Sequence, residues 1–151
     1  MLGCFDDECV LSCKQNWEQN GTQCYFWSRK KKNWDDAEKT CVALGGHLAS
    51  ITSKAINEYI LEGIFSRNID YLYVGGTDRG LEGSWKWTDC TDWNFTNWGK
   101  NHPSNKKDHD CLSLFYKKPK PTLNDELCTY ENWFLCSRQL CQGKHNSNPS
   151  N

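Results

Sequence analysis

Two histidines and two aspartates crowd one short stretch: His102, Asp108, His109 and Asp110 fall within nine residues. Imidazole nitrogen beside carboxylate oxygen is a donor set for Zn2+ or Ni2+. Histidines in loops are more often merely solvated, so the expectation is against a transition metal there. The stretch holds no spaced catalytic motif and the chain has no nucleophile elbow, so no enzymatic activity is expected. Paired carboxylates at Asp6-Asp7 and Asp35-Asp36 read as a solvated tail and a helix first turn. Two basic runs, Arg29-Lys30-Lys31-Lys32 and Lys117-Lys118-Pro119-Lys120, offer charge to sulfated glycans, other polyanions or an acidic protein. Such runs are usually solvated turns. Trp93 and Trp98 are the rings that can stack on a sugar face.

The rest of the chain must position these groups. Its 151 residues make room for one domain with short tails. Eighteen basic and nineteen acidic side chains leave a net charge of −1. That gives no global field for nucleic acid. No apolar run approaches membrane-spanning length. Leu, Ile, Val and Phe total only 27, against 20 aromatic residues and ten cysteines. The core is therefore expected to rest on rings and cystine. No CxxC and no zinc-finger spacing occurs, so the cysteines read as a disulfide framework and the protein as secreted and extracellular. Asn20-Gly21-Thr22 and Asn94-Phe95-Thr96 are N-glycosylation acceptors in keeping with this. The start at Met1 has neither a basic n-region nor an apolar h-region. The expectation is a mature segment whose signal peptide lies outside it.

Residues 1–12 form a cysteine-bearing extension, and 142–151 a polar tail expected to fray. Asn33 can cap a first helix that buries Trp34, Ala37, Cys41 and Leu44 and stops at Gly45-Gly46. A second starts near Ser53, with Ile56, Tyr59, Ile60 and Ile64 on its apolar face, and ends between Phe65 and Asn68. Strands are predicted over 24–27, 71–74, 84–87, 111–116 and 133–136. Between Thr88 and Asp110 neither pattern holds. A structureless stretch that long inside a compact domain is usually functional.

These patterns come in a fixed order. Cys13 and Cys24 flank Asn16-Trp17-Glu18, and Cys41 lies on the first helix. Gly45-Gly46-His47-Leu48-Ala49-Ser50-Ile51, Val74-Gly75-Gly76, Gly83-Ser84-Trp85-Lys86-Trp87-Thr88-Asp89 and Asn94-Phe95-Thr96-Asn97-Trp98 follow. Cys111, Asn124-Asp125, Cys128 and Cys136 close the series. The set resembles the C-type lectin-like domain in its long form, over residues 13–136. The resemblance implies an α+β fold, two helices flanking short antiparallel sheets, with a long irregular loop, and a domain spanning 13–141. It implies disulfides Cys13–Cys24, Cys41–Cys136 and Cys111–Cys128. Cys4, Cys9, Cys90 and Cys141 remain. Because the chain ends lie close together in the family, Cys141 can pair with Cys4 or Cys9. Cys90 stands where glycine is usual, and an interchain bridge giving a covalent dimer is one fate for it.

Sugar-binding members act through a bound Ca2+, a hard ion wanting six to eight oxygens. The resemblance maps the ligand-binding positions onto His102, Ser104, His109, Asn124 and Asp125. The triplet His102-Pro103-Ser104 replaces the family's Glu-Pro-Asn or Gln-Pro-Asp, and Pro103 matches a cis proline. Histidine suits Ca2+ poorly and serine is short and neutral. His109 takes the place of a further acid, a role into which Asp108 can slide. Asn124-Asp125 is intact, although Leu123 replaces the usual tryptophan. The expectation is that this site does not hold Ca2+ tightly. An auxiliary site is better preserved, with Asp78, Glu82 and Asp110 as acids and Asn105 as an amide donor. The functional expectation is an extracellular recognition protein, as in soluble innate immunity, that binds glycan through the long-loop face. The alternative is a calcium-independent relative of the venom or antifreeze type, binding a protein or other non-sugar ligand.

Overall fold

The computed structural model describes residues 9–116 and 121–142. Cys4, the run Lys117–Lys120 and the tail from 143 onward lie outside the described residues. Helix α1 spans Trp34–Ala43 and starts where the Asn33 side chain accepts from the Asp36 amide at 2.9 Å. Trp34, Ala37 and Cys41 are buried on one face, as their spacing predicts. Leu44 is the half-buried C-cap. Helix α2 spans Lys54–Ser66, capped by Ser53 Oγ accepting from the Ile56 amide at 3.2 Å. Ile60 and Ile64 are fully buried.

Eight strands accompany them: β1 Glu18–Asn20, β2 Gln23–Trp27, β3 His47–Leu48, β4 Tyr71–Thr77, β5 Lys86–Trp87, β6 Cys111–Phe115, β7 Thr122–Glu126 and β8 Trp133–Gln139. Their order is β1-β2-β8-β4-β6-β7, with β3 on β8 and β5 on β4. Pairing is antiparallel except between β4 and β8. The five predicted strands are all present. β5 is shorter than the 84–87 predicted, and β4 runs three residues further, through Gly75-Gly76. Those glycines let neighbours come close: a Cβ on Gly75 would sit 2.6 Å from the Leu48 carbonyl oxygen, and one on Gly76 2.5 Å from Leu112 Cδ2. β1, β3 and β7 were not predicted. β1 is wholly exposed, β3 has two residues, and β7 carries Asn124-Asp125-Glu126. None of them shows an alternation of apolar side chains.

The disulfides are Cys13–Cys24, Cys41–Cys136, Cys111–Cys128 and Cys9–Cys141. Cys9–Cys141 joins the two ends of the domain, and Val10 bridges to Leu140 beside it. Cys90 is also disulfide-bonded, and no described cysteine is free to bridge to another chain. One buried cluster places α2 residues Ile60 and Ile64 against Leu72, Leu112, Leu114 and Leu135. A second packs α1 through Trp34, Ala37 and Cys41 against Leu48, Tyr73 and Phe134. No helix among the described residues is long and apolar enough to cross a membrane.

Candidate functional site

The stretch from Thr88 to Asp110 connects β5 to β6 and holds no helix or ladder strand. Its root is fixed by Glu38 and by motif residues Ser50, Thr88 and Asp89, to which the sequence assigned no such contacts. Glu38 on α1 accepts from the Leu48 amide at 2.9 Å and from Thr88 Oγ1 at 3.2 Å. Asp89 accepts from Ser50 Oγ at 2.5 Å and from the Thr91 amide at 3.0 Å. The Asp-x-Thr turn at Asp89 was the available sequence signal. Beneath the loop lies a floor of indoles, with Trp87 stacked on Trp93 at 4.5 Å and Trp85 edge-on to Trp98 at 5.3 Å. Trp93 and Trp98 are half-buried in this floor, so they serve as core more than as open platforms for sugar.

The tip is shaped by three polar residues in left-handed conformation: Asn101 (φ 66°), Asn105 (φ 56°) and Asp108 (φ 64°). Asn and Asp tolerate that region better than other non-glycine residues. The His102–Pro103 bond between them is cis. His102 and Ser104 both reach Asp125 of β7. Asp125 Oδ1 lies 2.6 Å from His102 Nδ1 and accepts from the Ser104 amide at 2.7 Å. Its Oδ2 accepts from Ser104 Oγ at 2.6 Å. The Asp125 side chain is 1% exposed. Burial raises its pKa, but the bonds from Ser104 and His102 outweigh burial and hold the carboxyl below its ordinary range. Both carboxylate oxygens are thus occupied by the protein's own donors. His109 Nδ1 stands 3.5 Å from the Asp125 carbonyl oxygen, too far for a good hydrogen bond. The Asn124 amide oxygen faces Thr122 Oγ1 at 3.4 Å, and a Cβ on Gly99 would lie 2.7 Å from it.

A second centre lies at the β4–β5 turn. Asp78, Glu82 and Asp110 bring carboxylate oxygens within 4.8 Å of one another. Asp78 is buried, and its Oδ2 accepts from the Gly83 amide at 2.9 Å. Its Oδ1 is buried with no donor. Burial, and then Asp78 as a hydrogen-bond partner and as a charge, push the Asp110 carboxyl up. An all-oxygen donor set with an orphaned buried acceptor fits a hard divalent cation such as Ca2+. Among the described residues this is the one cluster of three or more metal-capable side chains. His102, Asp108, His109 and Asp110 do not converge, because the His102 ring is turned onto Asp125. Asp108 and Asn105 are exposed at their left-handed turns. The Zn2+ or Ni2+ arrangement that their spacing allowed is therefore not assembled.

The fold and its disulfide framework are those of a C-type lectin-like domain. Residues 30–138 match the Lectin C-type domain, and the chain belongs to the C-type lectin family. It is 31% identical to C-type lectin domain family 4 member D of Homo sapiens over 126 residues, 82% of this chain and 58% of that protein. It is 31% identical to Perlucin-like protein of Mytilus galloprovincialis over 131 residues, 83% of each. It spans only 58% and 13% of the lengths of the human family 4 members D and F that it matches. Among solved structures, the lectin domain of murine dendritic cell inhibitory receptor 2 in complex with N-glycan superposes with a TM-score of 0.76 at 28% identity, covering 85% of this chain and 99% of that one. A calcium-independent type II antifreeze protein also superposes at 0.76 and 28%, covering 86% and 96%.

Proposed function

We propose that this chain is an extracellular recognition protein whose long-loop face binds carbohydrate without a Ca2+ bridge at Asp125. The observation that carries this reading is the state of Asp125, whose two carboxylate oxygens take three hydrogen bonds from His102 and Ser104. A cation there would have to displace these bonds from a buried carboxylate, each charge-assisted bond contributing about 1.5–3 kcal/mol. His102 and His109 are half-buried polar groups available to a saccharide on this face, and Asn124 precedes Asp125 on β7. Asp78, Glu82 and Asp110 are the residues that would hold Ca2+, with Asn105 near enough in sequence to add an amide. An ion held there would offset most of the charge of the three acids and tie the β4–β5 turn to Asp110 at the end of the loop. Glycan binding by the murine receptor domain supports a saccharide ligand. The calcium-independent antifreeze relative favours the second reading, a non-sugar or protein ligand, on the same closed Asp125.

The test is a glycan array probed in Ca2+ and in EDTA, followed by competition with free monosaccharide. Saccharide binding that survives EDTA and weakens in His102→Ala supports the proposal. Binding abolished by EDTA while Asp78→Asn binds normally places the cation at Asp125 and refutes it. No saccharide binding in either buffer selects the non-sugar ligand.

A further inference from the structure

At the β1–β2 edge, across the sheet from β7, lies a cleft of about 440 Å3. It is walled by Phe26 and Trp27 at the end of β2, Trp133 at the start of β8, Glu18 on β1, Arg67 at the end of α2, and Arg29. Its size is that of a small-ligand site. The walls are held firmly. The Arg67 guanidinium carbon lies 4.0 Å over the Trp27 ring, and Nη2 donates to Glu18 at 2.7 Å. Glu18 also accepts from the Tyr59 hydroxyl at 2.6 Å, and Tyr59 takes the Trp27 indole N–H at 3.3 Å. Gly63 makes room for the ring, since a Cβ there would sit 2.2 Å from Trp27 Cζ2.

The charges at this cleft are unbalanced. Glu18 is the single acid in the wall, and Arg67 already compensates it. Arg29 is exposed on the rim, followed by Lys30 and Lys31, also exposed. Lys31 Nζ stands 5.6 Å from the Trp133 ring centroid. None of the ion pairs among the described residues includes Arg29, Lys30 or Lys31. A cleft that sets aromatic rings beside uncompensated cations asks for a ligand with C–H faces and anionic substituents. Ring faces carry partial negative charge and attract polarised C–H groups. Guanidinium matches the geometry of sulfate and carboxylate. We infer that this cleft is a second ligand site, separate from the long loop, that takes an acidic saccharide bearing sulfate or carboxylate groups. An acidic peptide satisfies the lysines but leaves the indole wall without a matching face.

The experiment is titration of the whole chain with a heparin octasaccharide, read by tryptophan fluorescence and calorimetry in EDTA. Hyaluronan, neutral maltooligosaccharide and poly-glutamate of matched charge serve as comparators. Heparin or hyaluronan should bind, the first identifying sulfate as a sufficient anion and the second carboxylate. Arg29→Glu, on an exposed side chain that leaves the core intact, should weaken binding at least roughly tenfold by reversing a charge at the rim. Trp133→Leu should also weaken it, with melting temperature as the control for folding. Asp125→Asn should leave it unchanged, which separates this site from the long-loop proposal. Equal binding of poly-glutamate or of the neutral sugar, an unaffected Arg29→Glu, or no binding of either acidic saccharide overturns the inference.

Discussion

Replacing Asp78 with asparagine should make the metal-free protein more stable while abolishing its response to Ca2+. The three acids hold oxygens within 4.8 Å of one another. Two unit charges at that distance repel by about 3–4 kcal/mol at an effective dielectric near 20. Glu82 is exposed and Asp110 half-buried, so solvent screening reduces the net relief to about 1–2 kcal/mol. Asparagine keeps an acceptor for the Gly83 amide, and its amide N–H2 turns the orphaned Oδ1 position into a donor toward Asp110. The melting temperature without metal should therefore rise by about 3–8 °C. In the parent chain, Ca2+ at roughly 100 times its dissociation constant should add about 2.7 kcal/mol. The assay is a thermal melt of both proteins in EDTA and in Ca2+ at matched ionic strength. If Asp78→Asn lowers stability in EDTA, or keeps a Ca2+-induced rise, the assignment of charge repulsion and metal binding to this trio is wrong.

Glu126 is buried on β7, and desolvation, offset in part by Ser113 and Asn132, raises its pKa from 4.5 to about 7. A raised carboxyl stabilises the fold below about pH 4.5 and loses that contribution as pH rises through about 7. Glu126→Gln should accordingly flatten the pH dependence of the melting temperature and gain up to about 3 kcal/mol at pH 8. Asp125 has the opposite sign: its lowered pKa contributes stability at neutral pH that is lost only as pH falls through the depressed value. The double change His102→Glu with Ser104→Asn restores the Glu-Pro-Asn triplet and frees Asp125, so calorimetry should find a new Ca2+-binding event absent from the parent chain. Removing the Cys41–Cys136 bond by paired alanine substitution opens a loop of 95 residues. It should cost about 4–5 kcal/mol, measured by denaturant unfolding.

Much of the fold was legible because its signals are local. Asn33 and Ser53 cap their helices through bonds that span three residues, and the apolar faces of α1 and α2 repeat at helical spacing. The cysteine series and the tryptophan and glycine motifs fixed the family and the position of the long loop. β1, β3 and β7 were not legible. Their residues are polar or few, and they become strands only because β2, β8 and β6 offer them hydrogen-bonding edges.

At the candidate site the sequence determined which donor types were available. It showed that His102 and Ser104 are poor calcium ligands and that Asp78, Glu82 and Asp110 are good ones. Only the tertiary structure decided where those groups go. Asp78 and Asp110 meet because β4 and β6 are adjacent in the sheet, an outcome of long-range pairing that residue spacing does not encode. Asp125 spends its charge on His102 and Ser104 because the loop folds back onto β7. A carboxylate's chemistry depends on which donors reach it first, and that is a property of packing.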